Sequence, residues 1–148
     1  MDIEGYAVAK VLESLAITEH LVGYISLRDK EPVWDGFVYI YTDRVNHKKE
    51  NLKGRVPVQI KGQLTTKKKK FNDHIKYSIR VSDLKHYLLE GGAVFFVVQI
   101  NQEQMRSQIY VAKLLPYSIK KLLPDSEENQ TVSVEFSIFP KDETKKNN

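Results

Sequence analysis

Residues Ala93-Val94-Phe95-Phe96-Val97-Val98-Gln99-Ile100 form a nearly continuous apolar run, bounded by Gly91-Gly92 before it and a polar turn over 101–107 after it. A run of this length, rich in β-branched and aromatic residues, reads as a strand covered on both faces. The chain must therefore supply a layer on each side of a sheet, which calls for an α/β arrangement. At 148 residues it is long enough to bury one such core. The expectation is a mixed central β-sheet of five or six strands flanked by helices, forming a single domain over 1–140. The polar stretch 141–148 reads as a tail or a linker to a further domain.

The remaining segments fall in around that strand. Val33 to Tyr41 and Arg55 to Gly62 alternate apolar residues with period two, as half-covered strands do, and are expected to pair antiparallel. Ile75, Tyr77, Ile79 and Val81 alternate likewise, as do Val132, Val134, Phe136 and Ile138; Gln108 to Leu114 is a further strand. Gly23 to Leu27 offers a first strand, and Arg28 to Pro32 a polar turn. Helices are expected over 2–16 with Asp2 as cap, over Ser82 to Glu90 with Ser82 as cap and Gly91-Gly92 as stop, and over Tyr117 to Leu123 behind Pro116. In the first helix Ala7, Val8, Val11 and Leu15 share one face at about 100° per residue, and Glu4 lies in the middle of that stripe. An inward carboxylate needs a cation or a metal; the alternative is that Glu4 serves the helix dipole in the first turn and reaches water.

Composition narrows the function. With no cysteine, disulfides, thiolate catalysis and cysteine-bound zinc are excluded. No apolar run approaches the roughly 20 residues that span a bilayer, and the N-terminus lacks a signal-peptide pattern; a cytoplasmic protein is the simplest reading. Net charge is +4, yet Arg44 to Lys70 carries ten Lys or Arg against the single acid Glu50. That segment is +9 and the rest of the chain −5. A basic surplus so placed favours a polyanion, most often nucleic acid, with Lys48, Lys49, Lys67, Lys68, Lys69 and Lys70 as the contacts. Solvated loops are the plainer alternative.

Within the basic segment, Gln59 and Lys61 lie on one strand face, roughly 6.6 Å apart, and Asp35 enters the preceding strand beside Gly36. Asp35, Gln59 and Lys61, with Glu4 in reserve, suit a magnesium-dependent phosphodiesterase site. Mg²⁺ (or Mn²⁺) takes hard oxygen ligands, here Asp35, Gln59 and Glu4. Lys61 would orient or deprotonate the nucleophile, or stabilise charge on the phosphate.

An acid, then an acid or glutamine, a spacer and a lysine is also a family pattern. The chain resembles the PD-(D/E)XK, or restriction-endonuclease-like, nucleases. It is most similar to a prokaryotic branch with a Trp-Asp-Gly strand, a Pro-Val-Gln-Ile-Lys-Gly strand and a later Asp-Leu-x-x-Tyr-Leu helix. Trp34-Asp35-Gly36, Pro57 to Gly62 and Asp83 to Leu88 match these. Relatives in the superfamily place a glutamate on the first helix about thirty residues before the aspartate, where Glu4 stands. The resemblance covers residues 3 to 123 and implies a restriction-endonuclease-like fold and a Mg²⁺-dependent nuclease acting on DNA. It further implies the nuclease domain of a larger prokaryotic defence or DNA-processing protein. Cutting of both strands by one such site would call for a homodimer. Gln59 replaces the usual second acid and removes one negative charge from the metal site. The alternative is a catalytically inactive nuclease-fold module that binds nucleic acid or a protein partner.

Other features read as structural. His20, His47, His74 and His86 share no ligand spacing and are expected at the surface. Trp34 and the row Phe37, Tyr39, Tyr41 are expected to pack in the core rather than stack on bases.

Overall fold

The computed structural model describes residues 1–25, 36–66, 70–124 and 130–140. The polar turn 28–32, Trp34 and the tail 141–148 lie outside the described residues.

The elements run α1 (Ile3–Ala16), β1 (Leu21–Ile25), β2 (Gly36–Tyr41), β3 (Leu52–Leu64), β4 (His74–Arg80), α2 (Val81–Leu89), β5 (Ala93–Asn101), β6 (Arg106–Leu114), α3 (Pro116–Leu122) and β7 (Thr131–Phe139). The strands form one mixed sheet in the order β1-β2-β3-β5-β6-β7-β4. The protein is thus α/β, and its described residues form seven strands rather than five or six. β2 and β3 pair antiparallel, as their alternation and short connection lead one to expect. Among the described strands β3 and β5 are the parallel pair, and the crossover between them carries β4 out to the far edge beside β7 before α2 returns.

The apolar run is the central strand β5, and its residues divide between two cores. Phe96, Val98 and Ile100 join Val58 and Ile60 beneath α1, whose buried stripe is Ala7, Val8, Val11 and Leu15. Phe95 and Val97 face the other way, with Tyr110, Ala112, Leu114, Val134 and Phe136, under Leu84 and Tyr87 of α2 and Ile119 of α3. Each buried aliphatic or aromatic side chain contributes roughly 1.5–3 kcal/mol by leaving water. Helices on both faces are the direct consequence of a strand apolar on both sides.

Asp2 caps α1, its carboxylate accepting from the Gly5 N–H at 2.9 Å. α2 begins one residue before Ser82, after Arg80 in extended conformation, and Ser82 is not its cap; Arg80 Nε instead reaches back over the first turn to Asp83 Oδ2 at 3.1 Å. Gly91 and Gly92 end α2 with φ of 85° and 115°, a backbone that residues with a Cβ rarely adopt.

Candidate functional site

The faces of β3 decide which side chains can meet. Val58 and Ile60 enter the core under α1, and a Cβ at Gly62 would lie 2.7 Å from Ile3 Cγ2 of that helix. Alternation sends Gln59, Lys61 and Gln63 to the opposite face. Gln59 is buried and Lys61 exposed, so the two sit at the boundary where the α2/α3 core gives way to solvent. Gln59 is level with Phe95 and Lys61 with Val97 on the neighbouring strand. Further along, Gln99 donates its amide to Gln63 Oε1 at 3.1 Å, continuing the polar row.

Two strands over, the row through Lys61 and Val97 reaches Tyr110. The Tyr110 hydroxyl donates to the Asn72 carbonyl at 2.6 Å, and the Arg106 guanidinium lies 5.5 Å from the Phe71 ring centroid. These contacts lay the end of the basic connection, with exposed Lys70, over the face that carries Lys61, at a lateral distance of about 10 Å for two strand spacings. Burial, with the Asp73 carboxylate adding to it, raises the Tyr110 hydroxyl above its ordinary pKa, so it stays a donor.

At the other end of β3, exposed Lys48 and Lys49 sit on a loop held by several contacts. His47 stacks on Tyr41 with ring centroids 4.7 Å apart and directs Nε2 to the carbonyls of Glu19 (2.8 Å) and Arg44 (3.1 Å). Arg44 pairs with Glu19 at 3.3 Å. Asp43 accepts from the Val45 and Asn46 backbone N–H groups, which, Asn46 foremost, hold its carboxyl below the usual range. All four histidines are exposed, as expected.

The four-residue constellation is only partly assembled among the described residues. Gln59 and Lys61 share a face. Asp35, like Lys67, Lys68 and Lys69, lies outside the described residues; its chain neighbour Gly36 opens β2 and opposes Val58, next to Gln59. Glu4 is exposed rather than inward, in the first turn of α1, where a carboxylate complements the helix dipole. It therefore belongs to the layer on the other side of the sheet from Gln59 and Lys61. Among the described residues no three His, Asp or Glu side chains converge in a way that could hold a metal. Beside Lys61 on β3 the described side-chain oxygens are the neutral amides of Gln59 and Gln63, and Gln63 Oε1 already accepts from Gln99.

The aromatic row departs from expectation. Phe37 and Tyr39 are only half-buried, and they stand on the Lys61 face, because Phe37 opposes Pro57 and Tyr39 opposes Arg55. Sequence alone missed Tyr24, Arg55 and Arg106 as members of this face. Alternation fixes which residues share a side of the sheet, but not which half of that side a helix will cover.

No protein-family model, curated protein or solved structure matches the chain. Among the described residues no helix is long and apolar enough to cross a membrane.

Proposed function

We propose that the chain is a metal-dependent nuclease acting on DNA at the β2–β3 seam, with the restriction-endonuclease-like fold that its motifs resemble. The observation that carries this reading is the pairing of Gln59, buried, and Lys61, exposed, on one face of β3, beside the strand that follows Asp35. A magnesium ion held there would polarise the scissile phosphate and lower the pKa of an attacking water. Asp35 would supply the charged ligand and Gln59 a neutral oxygen, while the exposed Lys61 ammonium would orient the nucleophile or offset charge gathering on the phosphate. Lys70 and Arg106 on one side, and Lys48 and Lys49 at the far end of β3, hold the substrate backbone.

The test is cleavage of plasmid and oligonucleotide DNA in Mg²⁺ or Mn²⁺. Asp35→Ala and Lys61→Ala should each lower the rate by about 100-fold or more, the scale of a lost acid–base group. Undiminished cutting in both variants would remove the site. Glu4→Ala isolates the helix carboxylate, and its position in the other layer predicts a much smaller loss.

The sparse carboxylate set favours a second reading. With Gln59 in place of an acid and Glu4 across the sheet, the fold can serve as a module that binds nucleic acid without cutting it. Salt-dependent binding with no cleavage in either metal would select that reading.

A further inference from the structure

The Lys61 face continues past the seam, across β2 to β1, and carries a patch that no described helix covers. Residues directly opposite in an antiparallel pair project to the same side. Tyr24 opposes Phe37, Phe37 opposes Pro57, and Tyr39 opposes Arg55, so Tyr24, Phe37, Tyr39 and Arg55 all stand on the side of Gln59 and Lys61. α1 lies on the reverse face, while α2 and α3 pack over the half of the sheet that runs from β5 to β4. Tyr24 is accordingly 59% exposed. Its ring meets that of Tyr39 edge-on, centroids 4.8 Å apart, and the Arg55 guanidinium lies 4.3 Å from the Phe37 centroid.

The charge of this half-sheet is one-sided. β1, β2 and β3 together contain Lys53, Arg55 and Lys61 and no Asp or Glu. One exposed ring, Tyr24, and two half-buried ones, Phe37 and Tyr39, interleaved with cations, suit a ligand with flat π faces on an anionic backbone. A duplex hides its base faces within its own stack, whereas an unpaired strand presents them.

We propose that this face of β1–β3 binds single-stranded DNA, with bases stacked on Tyr24, Phe37 and Tyr39 and phosphates held by Arg55 and Lys61. The proposal deepens the nuclease reading, on which it rests for nucleic acid as the ligand, by specifying the strand state that the site receives. From Arg55 to Lys61 the strand advances about 20 Å, room for a run of several nucleotides.

The experiment is fluorescence anisotropy of the full chain in EDTA at low salt. The probes are a labelled oligothymidylate of about 12 nucleotides, within usual site sizes, and a labelled duplex of equal length. The single strand should bind about tenfold or more tightly than the duplex. Tyr24→Ala should weaken it by about tenfold, in the range that loss of one stacked base produces, while Tyr24→Phe keeps wild-type affinity. Arg55→Gln, an exposed site that leaves the core alone, should lower the slope of log affinity against log salt by about 0.7. Equal or tighter duplex binding, no binding of either probe, or a Tyr24→Ala protein that folds and binds as wild type would each overturn the proposal. EDTA keeps cleavage out of the measurement. Strand binding without later cutting in Mg²⁺ supports this inference and sinks the nuclease reading alone; duplex cutting that survives Tyr24→Ala does the reverse.

Discussion

Tyr110 links the sheet to the basic connection through one hydroxyl. It is fully buried, stands in the cross-strand row that includes Lys61, and holds the Asn72 carbonyl at 2.6 Å. Tyr110→Phe keeps the ring and removes that bond, so it should cost about 1 kcal/mol and loosen the segment that presents Lys70. Amide hydrogen exchange around Asn72 would register the loosening. The hydroxyl also gives stability a pH dependence. Its pKa is raised in the folded protein, chiefly by burial, so its contribution is complete below the ordinary tyrosine value of about 10 and is lost as pH rises through the folded value. Tyr77, likewise raised by burial, acts in the same direction. Melting temperature should therefore fall above pH 10 in the wild type and fall less in Tyr110→Phe; parallel curves would remove Tyr110 as a source. None of this was legible in the sequence, because the hydroxyl meets a carbonyl 38 positions away. The outward turn of Glu4 was open for a related reason. Periodicity places a residue on a stripe, and whether the first helical turn overhangs the sheet is settled by packing.

At the scale of elements, the two glycines in the quoted motifs do structural work next to the site rather than chemistry. A Cβ at Gly36 would run into the Tyr24 carbonyl of β1, and one at Gly62 would press on Ile3 of α1, 2.7 Å from Cγ2 and 3.0 Å from the carbonyl oxygen. Gly62→Ala should push the helix from the sheet and cost about 1–3 kcal/mol, as overpacking does. Lys61 itself would be left on the opposite face. A lowered denaturation midpoint with unchanged slope would confirm that local effect, and unchanged stability would show that α1 shifts freely. Here much was readable in advance. Strict alternation gave β2, β3, β4 and β7, the unbroken apolar run gave β5 as the strand with two covered faces, and Gly91-Gly92 gave the end of α2. The position of β4 was not readable. Ile75, Tyr77 and Ile79 demand a covered face, but nothing local indicates that they will find it beside β7 instead of β3.

The whole molecule divides its charge along one strand. β3 runs thirteen residues, about 40 Å end to end, with Lys48 and Lys49 just ahead of its first residue and Lys70 on the connection that follows it, whose end meets Tyr110 and Arg106 of β6. Among the described residues the basic excess thus runs from Lys48 and Lys49 ahead of β3, through Lys53, Arg55 and Lys61 on it, to Lys70 after it. The count was visible before the fold; the separation was not, since it depends on β3 being a single extended element. A polyanion too short to reach both ends gains from only one of them. In the double variant Lys48→Glu/Lys49→Glu, a long oligonucleotide should lose affinity, and its salt slope should drop by about 1.4 for two phosphate contacts on a single strand. A short oligonucleotide seated near Lys61 should bind the variant nearly as well as the wild type. Anisotropy titrations at two salt concentrations, with both lengths and both proteins, separate these effects. An equal loss for the two lengths would mean that the lysines act through the general field of the protein and not as a distinct contact.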